Sequence, residues 1–138
     1  MIVIIRIKGQ TGLRKDTNNT LDRLRIKKKY SCVVVKETKE NLGMINKLTS
    51  FIAYGKINED DLIELIEKRG IQLDKNKKID ARKAAEEIVK GKKLEDMNLK
   101  PFFRLHPPRK GIKSKLHYPR GVLGNHGDKI NLLLKRML

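Results

Sequence analysis

IVIIRIK, residues 2–8, is the stretch from which the rest of the chain can be read. Its run of apolar, mostly β-branched residues predicts a strand buried on both faces at its start, with Arg6 and Lys8 beginning an alternation toward its end. GQTGLRK at 9–15 follows as a basic glycine loop. Asp16 or Thr17 can then cap a helix through about Leu24, with Thr20, Leu21 and Leu24 at helical spacing. SCVVV at 31–35 is short and β-branched, hence a second strand. Thr38 can cap a second helix in which Leu42, Ile45 and Leu48 share a face with Met44 beside them, and FIAYGKI at 51–57 reads as a third strand. The order β-α-β-α-β predicts an α+β core of one sheet with its helices covering one face.

Beyond this core, residues 1–57, lies a helical middle segment, 58–99. Asn58 is the expected cap of EDDLIELIEKR, with acids in its first turn, Lys68 and Arg69 in its last and Gly70 after it, an order that suits the helix dipole. Asp80 opens ARKAAEEIVK in the same way. The third segment, 100–138, contains KPFFRLHPPRKGIKSKLHYPRGVLGNHGDK, where prolines and glycines break regular structure and predict an irregular path. Asp128 is the expected cap of a final helix, KINLLLKRML, whose Ile130, Leu133, Leu134 and Met137 form an apolar stripe. The irregular extension is therefore expected to be anchored at both ends.

Charge divides along the same boundaries. The chain of 138 residues carries 33 Lys and Arg against 16 Asp and Glu, a net +17. Residues 1–57 and 100–138 each carry +9, and 58–99 carry −1. Such an excess, confined to two outer segments, points to a polyanion such as nucleic acid. The middle helices, having no such excess, are expected to face solvent or other proteins. No apolar run approaches the ~18 residues of a spanning helix, and a membrane partner is not expected. The apolar run after Met1 lacks a basic region before it and a cleavage site, so it does not read as a signal peptide. One cysteine, Cys32, excludes an internal disulfide and reads as a buried core thiol.

The basic clusters carry the functional reading. GQTG at 9–12 has the GxxG form of an RNA-clamping loop, but it follows a strand instead of joining two helices, so it reads as a turn whose Lys8, Arg14 and Lys15 touch phosphate. KKKY at 27–30, with Arg23 and Arg25, forms a second basic patch. In the extension the expected RNA contacts are Arg104, His106, Arg109, Lys110, Lys113, Lys115, His117, Arg120 and His126, with Tyr118 as a base-stacking ring; Lys47 adds one from the second helix. Phe102 or Phe103 is expected in the core. The histidine spacing matches no common zinc pattern, so no metal, cofactor or small-molecule substrate is expected. The extension holds no acid before Asp128, which leaves a nucleic-acid-modifying enzyme without a metal-binding carboxylate. That enzyme and a DNA-compacting basic protein are the alternatives to an RNA-binding structural protein.

FRLHPPRKGIKSKLHYPRGVLGNHGDKI at 103–130 resembles the C-terminal signature of the archaeal and eukaryotic branch of the ribosomal protein L-thirty family, called L-seven in eukaryotes. The first sixty residues are similar to the shorter bacterial members, including the GMINK segment at Gly43–Lys47. Leu42 departs from the Arg that many members carry before that segment. The resemblance implies a ferredoxin-like β-α-β-α-β core, a three-stranded antiparallel sheet with two helices on one face, in a structural, non-catalytic protein of the large ribosomal subunit in the cytoplasm. Its implied partners are large-subunit rRNA, including a place near the 5S rRNA, and neighbouring large-subunit proteins.

Overall fold

In the computed structural model, which describes residues 1–138, strand β1 (Ile2–Arg6) is buried along its whole length. Ile2 and Ile4 belong to one apolar cluster, whereas Val3, Ile5 and Ile7 belong to another. Successive strand residues face opposite sides of a sheet, so both sides of β1 need cover.

β1 pairs antiparallel with β2 (Ser31–Val35) from Ile2–Val35 to Ile5–Cys32. On its other edge it pairs antiparallel with β3 (Ile52–Lys56), from Ile2–Lys56 to Arg6–Ile52. Two short strands from the C-terminal extension complete the sheet. β4 (Phe103–Arg104) adds antiparallel to β2, and β5 (Gly124–Gly127) runs parallel to β3. The order is β4-β2-β1-β3-β5, a five-stranded mixed sheet. The expected three-stranded antiparallel sheet is therefore only its centre. The outer edges of β2 and β3 carry unpaired backbone groups, and the extension satisfies part of them with strands too short to show as hydrophobic runs. Gly55 makes one of these pairings feasible: a Cβ there would lie 2.2 Å from the Gly127 carbonyl oxygen.

Helices α1 (Lys15–Arg23) and α2 (Lys39–Lys47) cover the first face, packing Leu21 and Ile45, together with Leu24 and Leu48 just past their C-terminal ends, against Ile2, Ile4, Val33 and Ile52. The opposite face is covered by α3 (Glu59–Arg69), α4 (Ala81–Val89) and α5 (Ile130–Met137). Leu62, Leu65, Ala85, Ile88 and Leu134 join Val3, Ile5, Cys32 and Ala53 there, with Phe103 from β4. Two helices on one face is thus half of the cover. The middle segment contributes its apolar side to the main core and turns its charged side outward.

Two expected caps form as side-chain hydrogen bonds. Asn41 N donates to Thr38 Oγ1 at 3.2 Å, and Arg82 N to Asp80 Oδ1 at 3.1 Å. Three others differ. α1 begins at Lys15 behind Arg14, which leaves Asp16 in the first turn, where its charge still suits the dipole. Asn58 makes no side-chain cap, and Asp128 is displaced from the cap position of α5 by Lys129. Asn131 links the backbone at these last two sites. Buried at 5 % exposure, its Oδ1 accepts from Asn58 N at 3.3 Å and its Nδ2 donates to Lys56 O at 3.2 Å and Asp128 O at 2.8 Å. A buried amide needs such partners, and these tie α5 to the β3–α3 junction. Lys135 Nζ adds an ion pair to the buried Asp61 at 3.0 Å, which raises the lysine's pKa.

The expected alternation at the end of β1 is overturned at Arg6, which is only 1 % exposed. Its Nε donates to Lys8 O at 3.0 Å, Nη1 to Ile26 O at 2.9 Å and to Lys27 O, and Nη2 to Gly9 O at 3.0 Å. Burial lowers its pKa, and Asp22 opposes that shift. The guanidinium suits the position because its forked donors reach several carbonyls at once. Arg6→Met keeps the stem but leaves those carbonyls unpaired. It is expected to lower unfolding free energy by about 3 kcal/mol in urea titration; a change within experimental scatter would show that water replaces the guanidinium.

Candidate nucleic-acid interface

The N-terminal basic segment is held from inside. Lys27 O accepts from Arg6 and, at 2.7 Å, from Gln10 Nε2, while Tyr30 N donates to Arg6 O at 2.8 Å. Arg25 and Tyr30, flanking the three lysines, take left-handed φ values of 60° and 63°. With the backbone gripped this way, the Lys27, Lys28 and Lys29 side chains all stand exposed.

The C-terminal segment is held by α5. His106 N donates to Met137 O and Arg109 N to Arg136 O, both at 3.0 Å. The Arg136 guanidinium returns bonds to Arg109 O at 2.8 Å and Gly111 O at 2.7 Å. Residues 114–123 then close on themselves, with Val122 N bonded to Ser114 O at 3.2 Å and Tyr118 N to Leu123 O at 2.8 Å. Gly121 is required at this fold-back, because a Cβ would lie 2.1 Å from Leu116 O. The Tyr118–Pro119 bond is cis.

The two segments meet in a cleft of about 250 Å³. Lys8, Gly9, Thr11, Leu13 and Lys29 form part of its wall, with Ile7, Phe51 and, from the extension, Lys115. Lys8 Nζ lies 5.5 Å from the Phe51 ring centroid, a cation–π distance. No carboxylate lines this cleft. A second concavity, about 530 Å³, is bordered by Lys110, Lys113, Arg120, Lys129 and Arg136, again without an acid.

Of the residues expected to contact RNA, Lys8 and Tyr118 are half-buried and His126 is buried. Arg14, Lys15, Arg23, Lys27, Lys28, Lys29, Lys47, Arg104, His106, Arg109, Lys110, Lys113, Lys115, His117 and Arg120 are exposed. Some are already engaged: Lys47 Nζ lies 3.5 Å from Asp16 Oδ2, and Arg104 lies over the Phe102 ring at 5.7 Å. Arg25, read as part of the basic patch, is paired with Glu95. Phe103 is fully buried, as the core reading expected, and Phe102 is half-buried. Cys32 is buried as well, and burial pushes its thiol pKa up.

Sequence reading overlooked Phe51, Lys129, Leu132 and Arg136. The last three recur at helical spacing on the outer side of α5, opposite its apolar stripe, and that spacing is the signal that could have found them.

His126, expected at the RNA surface, sits within the fold at 9 % exposure. Its Nε2 lies 2.6 Å from Val122 O, so this nitrogen carries the proton and donates. The ring packs against Tyr118 with centroids 4.5 Å apart. Burial lowers the His126 pKa, with the Val122 bond opposing.

A family model described as Ribosomal protein L30p/L7e matches residues 2–52, which hold β1, α1, β2 and α2. The chain is also 41 % identical to the large ribosomal subunit protein uL30 of Archaeoglobus fulgidus, over 99 % of both chains. The chain belongs to this family. It is 38 % identical to the Methanobrevibacter smithii member over 100 % of both chains. It is 36 % identical to one from Methanococcus maripaludis over 98 % of this chain and 97 % of that one. The family is structural and non-enzymatic, so a nucleic-acid-modifying activity is not favoured.

A folded-state pKa below the unfolded one means that His126 takes up a proton more readily in the unfolded chain. Its stabilising effect is therefore complete above about pH 6.5 and declines as pH falls from there toward the folded-state value. Thermal melts should show a drop in Tm across that window, reduced in His126→Gln. An equally steep drop in the variant would assign the titration to other groups.

Proposed function

We propose that the chain is a structural constituent of the large ribosomal subunit that binds and stabilises folded rRNA. One observation carries this reading: Lys8 and Lys29, from one end of the chain, line the same acid-free cleft as Lys115, from the other. Two basic segments held at a set separation give one folded RNA two points of attachment. The exposed cations named above neutralise closely spaced phosphates, and Tyr118 presents a ring for stacking. The α+β core keeps the segments in register and carries no chemistry of its own.

The protein works in the cytoplasm as part of the ribosome, with rRNA and neighbouring large-subunit proteins as partners. A place near the 5S rRNA belongs to this proposal and rests on the family resemblance alone. The three segments 1–57, 58–99 and 100–138 divide the work between RNA-binding core, near-neutral surface and RNA-binding extension. Crosslinks to RNA should accordingly be sparse on the charged side of α3 and α4.

Affinity for large-subunit rRNA should fall steeply with salt, each phosphate contact adding a slope of about −0.7 to −0.9 on a log–log plot. Lys29→Glu and Lys115→Glu should each weaken binding several-fold and flatten that slope. If both lysines hold the same RNA, their combined loss should depart from the sum of the single losses. A nearly salt-independent affinity would sink the proposal, and equal affinity for duplex DNA would favour a DNA-compacting protein.

A further inference from the structure

The concavity of about 530 Å³ beside α5 has more to it than a phosphate-binding surface needs. Phosphates require donors and positive charge, which Lys113, Lys129 and Arg120 supply on its walls. They have no use for apolar surface. Yet Leu132, 65 % exposed, also lines the concavity, and Tyr118 presents its half-buried ring there.

That ring is held in place before any ligand arrives. Tyr118 N is bonded to Leu123 O at 2.8 Å, and the ring packs on His126, itself fixed by Val122 O at 2.6 Å. A pre-positioned aromatic ring loses little freedom on binding, which favours stacking. The volume lies within the roughly 300–1,000 Å³ typical of sites for small organic groups. A flat apolar surface beside cations, with no carboxylate on the wall, complements a group that is itself flat at one end and anionic at the other.

We infer that this concavity receives one unstacked nucleotide of rRNA, its base against Tyr118 and Leu132 and its phosphates toward Lys113 and Arg120. The inference deepens the rRNA-binding reading and rests on it. An acidic segment of a neighbouring protein would use the cations and leave the Tyr118–Leu132 surface without a role.

The test uses the full chain bound to large-subunit rRNA, probed by base and ribose modification and by ultraviolet crosslinking. Leu132→Glu is the informative variant, because the residue is exposed and Glu is a good helix former, so folding, checked by circular dichroism, should survive. Expected results are a single-stranded nucleotide whose reactivity changes on binding and a crosslink from Tyr118. In the variant, that nucleotide should regain its free-RNA reactivity, the crosslink should disappear, and affinity should fall about tenfold, while other protections persist. If the variant leaves every rRNA reactivity and the affinity unchanged, the inference is overturned, even where a crosslink to a neighbouring protein is lost. If the unaltered chain protects no rRNA at all, the rRNA-binding reading falls with it.

Discussion

A central strand that is apolar on both faces cannot stand in a sheet covered on one side only. Ile2 and Ile4 bury against α1 and α2; Val3, Ile5 and Ile7 require a second layer, supplied by α3, α4 and α5. Exposing either face would leave several large side chains in water, each at a cost of about 1.5–3 kcal/mol. The middle segment and the last helix are therefore part of one core with the first 57 residues, despite their different charge. The C-terminal extension is carried along by the same requirement, since it must run from α4 past both sheet edges to reach α5.

Buried polar groups convert that packing into a shaped surface. Arg6 spends its donors on backbone carbonyls of two loops, and Asn131 spends its amide on the β3–α3 junction and the start of α5. Each fixes backbone next to a basic segment, and so determines where exposed lysines and arginines stand. Ion pairs on the open surface, such as Lys68 with Glu64 and Lys92 with Glu87, contribute little by comparison. A net charge of +17 repels itself in the free protein, and a polyanion relieves that repulsion on binding.

The exposure of the candidate cations could be read in advance because charge and exposure go together. Fifteen of the expected contact residues lie on the surface, and long cationic side chains are seldom buried without a reason. Arg6 and His126 are buried against that rule, and for one cause: each is a polar side chain whose buried partners are backbone carbonyls, and carbonyl positions leave no trace in residue type. Lys129, Leu132 and Arg136 were passed over for another reason. Apolar spacing marks only the inner stripe of α5, and its outer face becomes a wall only where 110–122 folds against it.

By itself the sequence determined the β-α-β-α-β order, the strand at 31–35, the caps at Thr38 and Asp80 and the division of charge. These depend on local periodicity, side chains a few residues apart and simple composition. Only the tertiary structure decided that β4 and β5 extend the sheet, that Asn131 ties the start of α5 to the β3–α3 junction, and that Lys8 and Lys29 share a cleft with Lys115. The physical reason is that edge pairing and buried hydrogen bonding join backbone groups far apart in the chain. Every residue carries the same backbone donors and acceptors, proline's missing N–H apart, so nothing in the identity of Phe103 or Gly124 announces which edge it will meet.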